Sequence, residues 1–467
     1  MRAPSDSTIA AIATAVSDAG IGIIRISGPD AVSIADAIFV DGRGCHSLSQ
    51  TPTHRIRHGW IVEPRQSEPV DEVLVSIMRA PHSYTTEDVA EINCHGGRFV
   101  MGRVLELVLS QGARLAEPGE VTKRAFMGGR IDLAQAEAVM DIISSQNELS
   151  LKNSERQLSG VLSRRIIDMR GILLHESARI EAALDDPDVY DLDDNADNLL
   201  KLLDGVRDEF KRLITGAREG RILTEGIDTV ILGPPNAGKS SLFNYLTGDE
   251  RAIVTDIPGT TRDILETPVR LGEVVLRLID TAGLRETDDP IESIGVERAL
   301  ERAEAAQLIL YVLDSADLPA PGDIPYERLS GRKWIILLNK TDLSEPDEHY
   351  IERLRKLIPE GELRILPVSV RSGCGMDALK SAIMELFIKG DIAEQGEYCL
   401  TSIRHEEAVK EALADIERAM AAIGRGESEE LYCADIMGAY HALGRIIGAE
   451  PGEDLFDEIF SAFCMGK

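Results

Sequence analysis

The chain lacks an excess of basic charge, a cysteine framework and any long apolar run. Lys and Arg number 50 against 80 Asp and Glu, for a formal net charge of −30. Non-specific nucleic-acid binding and anionic membranes both require positive potential, so this balance argues against them, although a local basic patch could hide inside an acidic total. The six cysteines (Cys45, Cys94, Cys374, Cys399, Cys433, Cys464) are scattered with no CxxC spacing. No metal knuckle or disulfide framework is visible, which fits a reducing cytoplasm. No apolar run approaches the roughly 20 residues that span a bilayer. The opening MRAPSDSTIAAIATAVSDAG has neither the basic nor the continuous apolar region of a signal peptide. A soluble, cytoplasmic protein with no membrane partner is expected.

The length supports about two to four domains, and three textures divide the chain. Residues 1–118 mix short β-like runs (IGIIRIS, EVLVSIM, VAEINCHGG) with one or two helices, as an α+β domain does. Residues 119–217 carry apolar residues at helical spacing, interrupted by the acidic DDPDVYDLDDNAD, which reads as a solvated loop. Residues 218–388 alternate strand-like and amphipathic segments. The runs DTVIL, VVLRLI, LILYVL, WIILL and RILPVS are almost continuously apolar, as buried parallel strands are. This predicts a doubly wound α/β domain. Helical texture resumes over residues 389–467. The economical arrangement is a multidomain α/β protein: an α+β N-terminal domain, a discontinuous all-α domain, and an α/β domain inserted into it. Separate helical domains are the alternative.

What is present is a set of nucleotide motifs, each directly after a short apolar run: GPPNAGKS at 233–240, DTAG at 280–283 and NKTD at 339–342. In the first, Gly233 and Gly238 let backbone N–H groups of Asn236, Ala237 and their neighbours face phosphates at a helix N-terminus. Lys239 reaches the β- and γ-phosphates, Ser240 ligates Mg²⁺, and Ser241 follows in the same turn. Asp280, with Thr281, Ala282 and Gly283, serves the magnesium shell and the γ-phosphate. Asp342 can accept from both the ring N–H and the exocyclic amine of guanine, donors that adenine lacks. Asn339 and Lys340 buttress the base, and Ser369 and Val370 form a weaker last base-contacting loop. TDIPGTTRD at 255–263 suits a switch, in which Thr260 or Thr261, with Thr261 preferred, completes the magnesium shell. The substrate is therefore GTP.

Immediately after DTAG, Ras-type enzymes place a glutamine that orients the attacking water. Here that position is Leu284, which cannot hydrogen-bond water. Arg285, Glu286, Asp288, Asp289 and Glu292 are the nearby polar candidates, and most of them are ordinary solvated charges.

GPPNAGKSSLFN, TDIPGTTRD, DTAGLRE…IESIGVERA and the terminal FCMGK, with GIIRISG, EINCHGG and RAFMGGRIDLAQAEA, together resemble the MnmE (TrmE) family of tRNA-modification GTPases. The resemblance covers essentially the whole chain. It implies a tetrahydrofolate-binding, homodimer-forming N-terminal domain, a discontinuous helical domain and an inserted Ras-like G domain. It implies a partner, the FAD-dependent MnmG (GidA), which uses NADH. Together they form 5-aminomethyl or 5-carboxymethylaminomethyl uridine at the tRNA wobble position, drawing on 5-formyl- or methylene-tetrahydrofolate. It also implies K⁺ in place of an arginine finger, held by Asn236, Thr255, Ile257 and Thr260. Glu292 becomes the catalytic glutamate that orients water. For folate the matching positions are Arg25, Glu91, Arg130 and Lys467. A carboxylate suits the donor edge of a pterin, and cations suit its glutamate tail. The family's usual tail reads FCIGK, so Met465 is a mild, volume-conserving departure. Cys464 is a conceivable nucleophile, or a small apolar residue packing the tail.

A regulatory or ribosome-assembly GTPase without modification chemistry is the competing class. The G-domain motifs serve both. The acidic composition and the FCMGK end favour the tRNA-modifying class, because an assembly factor should add a basic RNA-binding module.

Overall fold

The computed structural model describes residues 7–64, 68–185, 196–248, 266–272, 274–279, 303–320, 323–329, 331–345, 348–357, 363–387, 399–449, 459–460, 463 and 466. It divides into two compact units, one of residues 1–140, 157–203 and 411–467, the other of 141–156 and 204–410.

The first unit is built on a seven-stranded sheet in the order β3-β4-β5-β6-β2-β1-β7. Its strands are β1 (Ile9–Ile12), β2 (Ala19–Ser27), β3 (Phe39–Asp41), β4 (Arg55–Val62), β5 (Pro69–Met78), β6 (Val89–Gly96) and β7 (Arg114–Leu115). All pairings are antiparallel except β1 with β7. Residues alternate between the faces of a strand. In β5, Val73, Val75 and Ile77 are buried while Leu74 is exposed. The buried side packs on helices α1 (Ala31–Ile38) and α2 (Arg98–Ser110) through Ile34, Ile38, Met101, Val104 and Val108. This is an α+β layer whose helices α1 and α2 cover one face of the sheet, while Ile9 and Ala11 of β1 are buried in a separate cluster with Ala116 and Val121.

Helical segments follow: α3 (Glu120–Met127), α4 (Leu133–Ser144), α5 (Glu148–Leu158), α6 (Val161–Asp185) and α7 (Ala196–Glu225). What reads in sequence as one long helical stretch is broken at residues 145–147 and 159–160. The acidic interruption at 186–195 lies outside the described residues. Within the first unit, α6 packs along the later helix Glu429–Ile447, where Arg170 stacks on Tyr440 with 4.0 Å from guanidinium carbon to ring centroid.

The second unit holds a six-stranded sheet in the order β13-β12-β11-β8-β10-β9, with strands β8 (Ile227–Leu232), β9 (Glu266–Leu271), β10 (Val274–Ile279), β11 (Leu308–Asp314), β12 (Lys333–Asn339) and β13 (Leu363–Pro367). Five strands are parallel, and β9 joins as an antiparallel edge beside β10. From Leu308 to Leu313, β11 is buried at every position, as a strand covered on both faces must be. One face packs Leu242, Leu379 and Ile383 from α8 (Lys239–Gly248) and α10 (Met376–Phe387). The other packs Ala303, Tyr350 and Leu354, the last two from α9 (Glu348–Leu357). The doubly wound α/β fold expected from the apolar runs is thus observed. Edge strand β9 (ETPVRL) has no place among those runs, because its polar and apolar residues are mixed. Two further helices are α11 (Ile403–Gly424) and, in the first unit, α12 (Glu429–Ile447). No described helix is long and apolar enough to cross a membrane.

Candidate functional site

In the second unit the first motif forms the turn between β8 and α8. Its conformation needs the glycines it has. Gly238 has φ +103°, and a Cβ there would lie 2.2 Å from Asn339 Nδ2; at Gly233, with φ +143°, it would lie 2.1 Å from the Val312 carbonyl. Asn236 is left-handed as well, at φ 59°, a conformation asparagine tolerates better than most residues. Lys239 folds back over the loop, and its Nζ donates to the carbonyls of Pro234 at 2.7 Å and Gly233 at 3.0 Å. Ser240 and Ser241 open α8 on its exposed side. Backbone N–H groups at a helix N-terminus, with an ammonium alongside, are the donor set a phosphate chain requires.

The ends of the neighbouring parallel strands bring the remaining described residues to this loop. Asn339, only 4% exposed at the end of β12, donates from Nδ2 to the Ala237 carbonyl at 2.9 Å. Its Oδ1 accepts the Val370 N–H at 3.1 Å. One side chain therefore ties the phosphate loop to the loop after β13. Lys340, at φ 65°, donates to Asp314 Oδ2 at 2.6 Å. Burial raises the pKa of Asp314, but Lys340 and the Ala316 N–H outweigh it and hold the carboxyl below its ordinary value. Asp342 is exposed, and its Oδ1 accepts from the buried Ser369 hydroxyl at 2.7 Å. This fixes the carboxylate and leaves Oδ2 without a partner among the described residues. Asp314 is a site residue that motif reasoning missed; its position at the end of an apolar strand, level with Asn339, was the available signal.

Thr255, Ile257, Thr260, Thr261, Asp280, Thr281, Ala282, Gly283, Leu284 and Glu292 lie outside the described residues, as do Cys464 and Lys467. Of the proposed metal donors, Asn236 and Ser240 are described, both at the mouth of the loop, and their amide and hydroxyl oxygens suit K⁺ and Mg²⁺. Among the described residues no group of three or more His, Cys, Asp or Glu side chains is gathered for a metal.

A second cluster stands in the first unit. The register of β2 and β6 sets Arg25 opposite Glu91, and Arg25 Nε donates to Glu91 Oε1 at 2.8 Å. Arg25 also reaches the C-terminal tail, donating from Nη1 to the Gly466 carbonyl at 3.0 Å. Arg130, after α3, donates to the Ser83 carbonyl. The Tyr84 ring lies 5.3 Å from the Arg130 guanidinium carbon and 6.0 Å from that of Arg25. Two of the four residues matched to folate, Arg25 and Arg130, thus share an aromatic ring that the sequence did not single out, and a third, Glu91, is paired with Arg25. Behind them is a buried ionic network. Arg124 donates to Glu87 Oε2 at 2.9 Å and Glu120 Oε1 at 3.0 Å, and Arg114 donates to Glu120 Oε2 at 2.7 Å. Burial raises the pKa of Glu120, yet the hydrogen bonds from Arg114, the Glu117 N–H and Arg124 together hold it below its ordinary value. Cys94, within EINCHGG, is a different case. Burial, and then the nearby Asp71 charge, push its thiol up to about 11, which makes it a packing residue and no nucleophile.

Comparison with known proteins covers the same ground. A family model described as GTP-binding protein TrmE N-terminus matches residues 8–130, and one described as MnmE helical domain matches residues 133–464. The chain is similar to the tRNA modification GTPase MnmE of Lachnoclostridium phytofermentans, 47% identical over 461 residues, covering 98% of this chain and 99% of that protein. The tRNA modification GTPase MnmE of Lysinibacillus sphaericus is 44% identical over 98% of this chain and 99% of its own length. That of Alkaliphilus metalliredigens is 43% identical over 99% of both.

Proposed function

Since the chain belongs to the MnmE (TrmE) family, we propose that it is a GTP hydrolase acting in tRNA modification. The observation that carries this reading is the Asn339 clamp. Asn339 ties the phosphate-loop backbone to the loop after β13, and Ser369 of that loop donates to Asp342, which supports the reading in a chain whose relatives match it over nearly their full length.

The residues divide the work as follows. The backbone N–H groups of Asn236 to Ser240 and the Lys239 ammonium hold the β- and γ-phosphates. Asp342 Oδ2 accepts from guanine, with Asn339 and Lys340 keeping its strand end in place. Ser240, Thr261 and Asp280 are the residues to hold Mg²⁺, and Asn236, Thr255, Ile257 and Thr260 those to hold K⁺. Such cations neutralise charge developing between the β- and γ-phosphates. Glu292 orients the attacking water, because Leu284 cannot. Water adds to the γ-phosphorus, the bond to the β-γ bridging oxygen breaks, and GDP and phosphate leave.

In the N-terminal cluster Arg25, Glu91, Arg130 and Lys467 bind a tetrahydrofolate that serves as one-carbon donor. The chain acts as a cytoplasmic homodimer with the FAD- and NADH-using partner MnmG on the wobble uridine of certain tRNAs, and GTP hydrolysis drives domain motion. The test is paired: GTP turnover by the purified chain in KCl against NaCl, and titration with 5-formyltetrahydrofolate. Faster turnover in potassium with saturable folate binding is expected. Cation-indifferent turnover with no folate binding would leave a switch GTPase without modification chemistry.

A further inference from the structure

We propose that Tyr84 is the positioning residue of the N-terminal ligand site, holding Arg25 and Arg130 together on one aromatic ring so that they receive the carboxylates of the ligand. The inference rests on the folate reading of this cluster and deepens it. Both guanidiniums stand within cation–π reach of the same ring, at 5.3 and 6.0 Å from its centroid. Like charges brought together repel, and among the described residues Glu91 is the one carboxylate paired with either. Arg130 is exposed, and its guanidinium is otherwise engaged with the Ser83 carbonyl, beside Tyr84 in sequence. A local surplus of positive charge is therefore maintained in a chain of net charge −30.

The negative face of the ring offsets part of that repulsion without neutralising either cation. A carboxylate in that position would have held the same arginines while using up the charge they offer. Tyr84 is itself well fixed. It is half-buried, packs against two small apolar clusters, one that includes Ala125 and Phe463 and one that includes Ile9 and Val121, and sets its hydroxyl 3.3 Å from Thr122 Oγ1. The ligand class implied is an anion with one or more carboxylates, with Glu91 left to meet a donor edge.

The experiment is titration of the full chain with 5-formyltetrahydrofolate at several salt concentrations. Tyr84→Phe keeps the ring and should bind within about twofold of wild type. Tyr84→Leu should bind about tenfold more weakly, as loss of a partly desolvated cation–π contact does. Its affinity should also depend less steeply on salt. Arg130→Gln should show the same pair of changes, and the Tyr84→Leu/Arg130→Gln double variant should lose less affinity than the two single losses summed, because Tyr84 acts in part through Arg130. Tyr84→Leu binding like wild type, a tenfold loss with an unchanged salt slope, or additive losses in the double variant would each overturn the role of Tyr84. Failure of the wild-type chain to bind would overturn the folate reading itself.

Discussion

Asn339→Ala removes a side chain that holds two backbone segments at once. The Ala237 carbonyl loses its Nδ2 donor at 2.9 Å and the Val370 N–H loses its Oδ1 acceptor at 3.1 Å, in surroundings where Asn339 is 4% exposed. Each stranded buried group costs about 1–3 kcal/mol, or about 2–6 kcal/mol for the pair. Part of this falls on the folded chain and part on nucleotide binding, since both loops gain freedom that the nucleotide must then restrict. About 1.4–2.8 kcal/mol appearing as lost affinity is a 10- to 100-fold rise in Kd. A fluorescent GDP analogue titrated at constant magnesium measures that share, and thermal unfolding measures the rest. Asn339→Asp separates the two halves. It retains an acceptor for Val370 but sets a carboxylate against the Ala237 carbonyl, so it should lose affinity at least as severely. Variants that bind within twofold of wild type and unfold at the same temperature would refute the clamp.

Three further outcomes follow from the same structure. Asp342→Asn replaces an acceptor by a donor opposite guanine; GTP affinity should fall about 10- to 100-fold, the worth of one or two charge-assisted hydrogen bonds, while xanthosine triphosphate gains, and competition binding compares them. Glu292→Ala should leave GTP affinity near wild type and lower turnover by about a hundredfold or more; equal loss of both in single-turnover and binding assays would make its role structural. The Glu120 carboxyl, held below its ordinary value by Arg114, the Glu117 N–H and Arg124, contributes stability that is present above the unfolded pKa, about 4.3, and lost as pH falls through the lower folded value. Urea unfolding from pH 7 down to 3 should show wild type losing stability in that window more steeply than Glu120→Gln, and parallel curves would contradict it.

What was legible in the sequence is what local chemistry encodes. Five apolar runs announced the parallel strands, and the glycines at 233 and 238 announced a turn whose backbone no side chain would fit. Strand β9 was not legible, since an edge strand is held by its hairpin partner β10 and has no buried run of its own. Nor was the pairing of Arg25 with Glu91, because register is fixed by the whole sheet and not by either strand. Tyr84 and the Arg124–Glu87–Glu120 network were hidden for a similar reason. Arg124 and Glu87 stand 37 positions apart, and only packing of α3 beside the 83–87 segment turns scattered charges into one buried set. Asp314 was readable in principle, because parallel strands of a doubly wound sheet end their site residues at a common edge.

The central claim, GTP hydrolysis in the service of tRNA modification, is tested most directly by mass analysis of wobble uridines in tRNA from cells carrying the gene, lacking it, or carrying the Asp342→Asn variant. The account predicts 5-aminomethyl or 5-carboxymethylaminomethyl uridine in the first, unmodified C5 in the second, and strongly reduced modification in the third. Identical wobble uridines in all three would contradict it.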